Sequence, residues 1–394
     1  MSAPKPRLVC FARDQYPLNR ADVAILFGLH LSADLDVTWC VKGTAEDQGA
    51  HAEKVGVVRV AGSVLAQIGM HCRASFEILA GRYDAVQCRD LIIISAWYAL
   101  ISRLAGKPFV YWMSFPIDIG YRNLAQRYGR FSPSRLARAT LANIGSFLLN
   151  RWTLPSASMI FAQSNLMVEK LAGRGLDTDR LVAVPMGFEP TLFCAEGSSA
   201  RLGSIAEGTR VVLYVGTLDT ERNLAVAFEG VASVLARLPD VVFVVAGPAT
   251  DAQRAEILEI LSRQHADERV HFLGSVPLQE LPAVIRRATV CLSAVPNTEM
   301  FDVSTPTKLV EYVACGRRAV VNHLPDHDLV ASMTGYCEVV EFTPEAFQAG
   351  VERALSLGPI PTGTLENARS WLVENRAYPA LAERCRIAYG RLFS

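Results

Sequence analysis

Short β-branched runs alternate with amphipathic segments along this 394-residue chain, and that alternation restricts it to parallel sheets flanked by helices. The pattern occurs twice. In the first half the expected strands are 8–12, 36–41, 85–88, 109–112, 159–162 and 181–184, with helical segments between most of them. In the second half they are 211–215, 241–246, 270–273, 290–293, 319–322 and 337–341, separated by helices of ordinary length. The polar, glycine-containing stretch 195–208 reads as an interdomain linker. A hydrophobic fraction of 51% with 20% charged residues fits α/β domains with well-buried sheets, and the length allows roughly two to three of them. Open parallel sheets bind ligands beyond the carboxyl ends of their strands, so two such domains facing a cleft would suit the joining of two substrates.

The segment 304–316, STPTKLVEYVACG, carries the most chemistry. A loop with hydroxyls and one lysine runs into a short helix whose apolar residues enclose a lone acid, Glu311. The first turn of a helix offers unpaired N–H groups and the positive end of the macrodipole, which suits a phosphate. Lys308 would add a full charge, Ser304 and Thr305 would donate to phosphate or sugar oxygens, and Glu311 could accept from two adjacent ribose hydroxyls. Together these suit a nucleotide diphosphate. The alternative is a solvated helix capped by Ser304 or Thr305. After the strand 211–215 come Gly216, Thr217 and, just before an apolar helix, Arg222. The glycine would allow close backbone approach and Arg222 could clamp a diphosphate, unless it is simply a solvated loop arginine. Gly247 and Gly274 also follow strands, where turn chemistry explains them equally well.

Other classes fall away. Net charge is zero, which gives no global attraction for nucleic acid. Nine scattered cysteines, with no CxxC or CxxH pairing, fit a reducing compartment and read as small buried hydrophobes rather than metal ligands. The N-terminus lacks the apolar core of a signal peptide, and the longest apolar stretch, 91–102, is too short to span a bilayer. No GxGxxG follows a strand, which argues against a dinucleotide oxidoreductase.

The order of motifs in 211–340, with 370–389, resembles the nucleotide-sugar half of retaining glycosyltransferases of the GT-B fold, in the large family 4 (glycosyltransferase group 1). YVGTL from Tyr214 resembles that family's strand and phosphate loop, VVAGP from Val244 its next strand and turn, and RVHFLG from Arg269 the third. The stretch 278–293 resembles the helix and strand before the donor loop, and Lys308 to Gly316 the donor-loop helix with its acid and closing glycine. PMGFE from Pro185 is similar to the segment leaving the acceptor domain, and 370–392 to tail helices that cross back to it. The resemblance implies an acceptor-binding Rossmann-like domain over 1–195, a nucleotide-sugar domain over 209–365, and helices over 366–394 returning to the first. It also implies a bacterial-type, metal-independent hexosyltransferase of polysaccharide or glycoconjugate synthesis, with no cofactor and a UDP- or GDP-sugar donor. The acceptor would be a saccharide or a polyprenyl-linked one. The location would be cytoplasmic, either free or peripheral on the membrane's cytoplasmic face.

Three departures stand out. The family pairs two glutamates eight positions apart, whereas Val303 precedes Glu311 at that distance, so only Glu311 transfers. The family's first loop has an arginine after the glycine and a lysine five further on; Thr217 and Arg222 occupy those places, and Lys308 would supply the missing cation. The family often has a histidine after the strand here written PFVYW, but this chain continues Met113, Ser114, so Ser114 and backbone groups do that work or catalysis is impaired. A catalytically silent partner subunit and a nucleotide-sugar epimerase therefore remain open.

The first half is less explicit. Arg13, Asp14, Pro17, Asn19 and Arg20 follow the first strand, and Arg89 and Asp90 follow the strand 85–88, either as ligand contacts or as a surface salt bridge. The segment 121–155 contains Arg122, Arg127, Arg130, Arg135, Arg138 and Arg151 with no acid, among apolar residues including Leu148, Leu149 and Trp152. It reads either as a contact with an anionic membrane surface or as a domain helix with a solvated arginine face.

Overall fold

The computed structural model describes residues 4–18, 20–43, 56–120, 133–203 and 205–393. They form two compact units, the first comprising Met1–Met186 with Tyr378–Ser394 and the second Gly187–Ala377. The chain thus passes between units at Met186 rather than within 195–208. That stretch packs on the second unit: Leu202 is buried, and Arg286 donates to the carbonyls of Ser198 and Cys194.

The first unit holds a seven-stranded sheet of β1 (Arg7–Gln15), β2 (Asp36–Lys42), β3 (Val57–Ala61), β4 (Ala85–Arg89), β5 (Phe109–Met113), β6 (Met159–Ala162) and β7 (Leu181–Ala183). Their order is β3-β2-β1-β4-β5-β6-β7, and every pairing is parallel. β4, β5 and β6 are buried along their whole length, as strands covered by helices on both faces must be. The edge strand β3 escaped the sequence reading because it is short and has a charge at its centre; Arg59 pairs with the buried Glu77 of the helix Val64–Leu79.

The last helix, Tyr378–Phe393, belongs to this unit and buries Tyr378, Leu381, Cys385 and Tyr389 in the same core as Trp39 and Phe161. Its polar tips are satisfied there, since the Tyr389 hydroxyl donates to the fully buried Gln87 at 2.5 Å and Arg386 Nε to Asp34 at 2.7 Å.

The second unit holds a six-stranded parallel sheet of β8 (Arg210–Val215), β9 (Val241–Ala246), β10 (Val270–Gly274), β11 (Val290–Ser293), β12 (Arg318–Asn322) and β13 (Cys337–Val340). The order is β10-β9-β8-β11-β12-β13. In each sheet the direction of strand addition reverses once, between β1 and β4 in the first unit and between β8 and β11 in the second. At such a point adjacent loops leave in opposite directions and open a crevice beyond the carboxyl ends of the strands.

Among the described residues no helix is long and apolar enough to cross a membrane.

Candidate functional site

The second unit's crevice is built from the loops after β8 and β9 and from the helix Thr307–Ala314. Tyr312 bridges its two sides, accepting the Val215 N–H at 2.8 Å and facing the Leu292 carbonyl at 3.4 Å, so one side chain ties β8 to β11. Asn322 fixes the exit of β11, bonding both the N–H and the carbonyl of Val295 at 2.9 and 2.7 Å. Behind it His327 Nδ1 lies 2.9 Å from the Asn322 carbonyl, an acceptor only, and Nε2 lies 3.2 Å from the Ser293 hydroxyl. His327 therefore carries its proton on Nδ1, and burial pushes its pKa down to about 4, so it is neutral at pH 7.

Close approach of the two exit loops requires both glycines. A Cβ on Gly247 would fall 2.1 Å from the Gly216 carbonyl oxygen, and one on Gly216 would fall 3.0 Å from Lys308 Nζ. Lys308 is buried, its Nζ has no hydrogen-bond partner, and it lies 3.9 Å above the Tyr214 ring. Burial, then the nearby Arg222 charge, holds its pKa well below the usual lysine value. Glu311, one turn further along the same face, is buried too, and burial raises its carboxyl to about 8 against the pull of Lys308. An enclosed amine without a hydrogen-bond partner, one turn from an enclosed carboxyl, is a costly arrangement for an empty core and a prepared one for an anionic, hydroxyl-bearing ligand.

Arg222 stands at the mouth, its side chain 30% exposed with Nε 3.4 Å from Asp219. Thr217 is spent on the loop itself, donating to Asp219 at 2.6 Å, while the Tyr214 hydroxyl donates to the Thr217 carbonyl at 2.9 Å. The helix Thr307–Ala314 is capped by Pro306 with no side-chain hydrogen bond, so neither Ser304 nor Thr305 is its cap. The reason is position: proline with φ −64° takes the place before the helix and leaves both hydroxyl residues upstream. Thr305 is buried and Ser304 is half-buried, its N–H bonded to the Phe301 carbonyl.

The seven residues expected to bind the nucleotide all lie in the second unit, whereas Ser114 lies in the first. There its N–H donates to Asp90 at 2.7 Å, and its buried hydroxyl has no partner. Arg89 is no surface salt bridge: it is fully buried at the end of β4, bonded to Asp22, 3.4 Å from Asp14 and 5.7 Å over the Trp112 ring. Its charge holds the Asp22 carboxyl at about 2 despite burial. Arg20 joins the same cluster through Asp22 at 3.1 Å. Tyr214 and Tyr312 were missed by sequence reasoning, although each is a polar-tipped aromatic inside an apolar run, the one signal that could have marked them.

Asn19, Arg122, Arg127 and Arg130 lie outside the described residues, as do the side chains of Arg135 and Arg138. On the helix Pro133–Leu148 the outward apolar residues are Leu136, Leu141, Ile144 and Phe147. Leu149, by contrast, is fully buried and Trp152 is anchored on the Ala96 carbonyl at 3.3 Å, because both face the helix Ile93–Ala105. Among the described residues no group of three or more metal-ligating side chains converges.

The architecture is the GT-B fold, two Rossmann-like parallel-sheet units. Residues 209–356, which carry the crevice just described, match the family model of glycosyl transferases group 1, in line with the resemblance read from the sequence. No curated protein sequence is similar enough to match. Solved structures share the fold over the whole chain. HepE of Anabaena in complex with UDP and glucose is 14% identical with a TM-score of 0.70, covering 98% of this chain and 100% of that one. A glycosyltransferase of Rickettsia africae is 12% identical with a TM-score of 0.74, covering 100% of both chains. WaaG, a glycosyltransferase of lipopolysaccharide biosynthesis, is 13% identical with a TM-score of 0.67, covering 98% of this chain and 100% of that one.

Proposed function

We propose that this chain is a retaining hexosyltransferase that uses a UDP-sugar donor without a metal and glycosylates a saccharide or lipid-linked acceptor in polysaccharide or glycoconjugate synthesis. The observation that carries the reading is Lys308, a buried amine without a hydrogen-bond partner, set beside a glycine whose missing Cβ leaves room for a ligand at the switch point of the sheet. UDP is favoured over GDP because HepE, of the same fold, was solved with UDP and glucose.

The largest charge that develops in glycosyl transfer is on the departing diphosphate, and Lys308 and Arg222 are the cations available to stabilise it. The arriving phosphates would favour the ammonium form of Lys308, since an opposite charge within a few ångströms stabilises it, with the proton coming from Glu311 or from solvent. Glu311 would then ionise and hold the ribose hydroxyls, with Ser304 and Thr305 donating to phosphate or sugar oxygens. The acceptor hydroxyl attacks on the face the diphosphate leaves, assisted by a phosphate oxygen. Val303, buried where the resembled family carries its first glutamate, places more of this burden on the two cations. The exposed apolar helix faces of the first unit favour work at the cytoplasmic membrane surface.

The test is incubation with UDP- and GDP-hexoses in excess EDTA, reading free nucleotide diphosphate. Release of UDP from at least one donor supports the proposal. Binding of UDP without release from any donor indicates a silent subunit, and absence of both overturns the reading.

A further inference from the structure

The first unit contains a cavity of about 440 Å³ that the donor site does not use. Phe11, Ala12 and Arg13 of β1, Val41 and Lys42 of β2, and Ile92 after β4 contribute to its wall, which places it beyond the carboxyl ends of the strands at that sheet's own switch point. The volume falls within the range of sites that enclose small organic ligands. Helices close the sides through Met70 and His71 of Val64–Leu79 and through Leu141, Ala142 and Gly145 of Pro133–Leu148.

Two features define what would fit. The wall is largely aliphatic, and the helices that form it carry large apolar residues outward: Leu65 is 81% exposed, Ile68 54% and Ile144 51%. Among the described residues the charged ones in the lining are Arg13 and Lys42, both exposed at the strand ends, and no acid among them joins the lining. His71 is engaged at Nδ1 with the Tyr98 hydroxyl at 2.8 Å, and Arg13 is steadied over the Phe115 ring at 5.4 Å. An apolar interior with two cations at its edge matches a molecule with a hydrocarbon chain joined to a phosphate.

We propose that this cavity binds a phosphate-bearing amphiphile, the chain lying against Ile92, Met70 and Ala142 and the phosphate at Arg13 and Lys42. Its identity as the acceptor rests on the transferase reading above; the binding itself does not. The exposed apolar rim would let the ligand pass from a lipid surface without its chain crossing water.

The experiment titrates the full-length protein with hexyl, octyl and decyl phosphate, each below its micellar concentration, alongside decanol and inorganic phosphate. Affinity is expected to rise about fourfold per added methylene until the cavity is full. Decanol should bind more weakly than decyl phosphate, and inorganic phosphate alone should not bind measurably. Ala142→Phe, which fills the cavity, and Met70→Trp, which narrows it, are expected to weaken decyl phosphate at least tenfold. Arg13→Ala with Lys42→Ala should weaken decyl phosphate but leave decanol unchanged, which a merely unfolded variant would not do. Equal affinity for hexyl and decyl phosphate, or unchanged binding in both cavity variants, overturns the proposal. A UDP titration on the same samples separates the two readings: UDP binding without chain-length dependence sinks this inference alone, and chain-length dependence without UDP binding sinks the transferase reading alone.

Discussion

Replacing Lys308 by methionine should unmask a pH dependence of stability that the native pair conceals. In the folded protein burial keeps Glu311 protonated up to about 8 and Lys308 deprotonated well below its usual 10.5. In the unfolded chain near pH 7 the carboxyl is ionised and the amine protonated, so folding favours gaining a proton at Glu311 and losing one at Lys308, and the two groups oppose each other in the pH dependence of stability. Lys308→Met removes the compensation. The folded state then holds a proton on Glu311 that the unfolded state lacks, so stability falls as pH rises from about 4.5 to about 8. The slope is about 1.4 kcal/mol per pH unit, or about 2.7 kcal/mol between pH 5.5 and 7.5. Glu311→Gln does the opposite: the unfolded amine holds the extra proton, and stability rises with pH toward 10.5. Denaturant unfolding of wild type and both variants at pH 5.5, 6.5 and 7.5 reads these slopes as differences from wild type, which cancels every other titrating group. Parallel curves for all three proteins would refute the reasoning, since they would mean that both groups are already charged and solvated in the folded state.

Arg222→Ala should lower turnover by about 10- to 150-fold, the equivalent of one hydrogen bond to a charged group, with a smaller change in donor affinity because the interaction strengthens as the diphosphate leaves; steady-state kinetics with a saturating acceptor checks the split. Gly247→Ala should cost about 1–3 kcal/mol of stability and abolish UDP binding together, because its Cβ would meet the Gly216 carbonyl oxygen at 2.1 Å and only backbone movement relieves it; a thermal melt with and without UDP shows both effects, and a stable, UDP-binding variant would contradict the cradle.

The architecture was legible because buried parallel strands are near-continuous apolar runs. Strands 159–162, 241–246 and 290–293 fall where the pattern puts them. β1 runs on to Gln15 through Arg13 and Asp14, since its carboxyl end is exposed and tolerates charges that the pattern treats as a loop. The loop carrying Lys308 and Glu311 was legible as a segment, but the geometry that gives it meaning was not. Gly247 looks like a turn residue until its distance from the Gly216 carbonyl is known, and no local pattern says that Lys308 lies over Tyr214. Arg89 illustrates the converse: a charge next to a strand end reads as surface, yet the partners that let it be buried, Asp14 and Asp22, come from a distant part of the sequence. The face that Leu149 and Trp152 take stayed open in the sequence because helical spacing defines two faces without saying which is packed; Leu149 is buried and Trp152 half-buried.

Calorimetric titration of UDP and of uridine into wild type, Lys308→Met and Glu311→Ala tests most directly whether this crevice is a nucleotide-diphosphate site. If Lys308 meets the phosphates and Glu311 the ribose, Lys308→Met weakens UDP by about 1.5–3 kcal/mol and leaves uridine unchanged, whereas Glu311→Ala weakens both ligands by a similar amount. The same UDP affinity in all three proteins would contradict the assignment of this crevice to the donor.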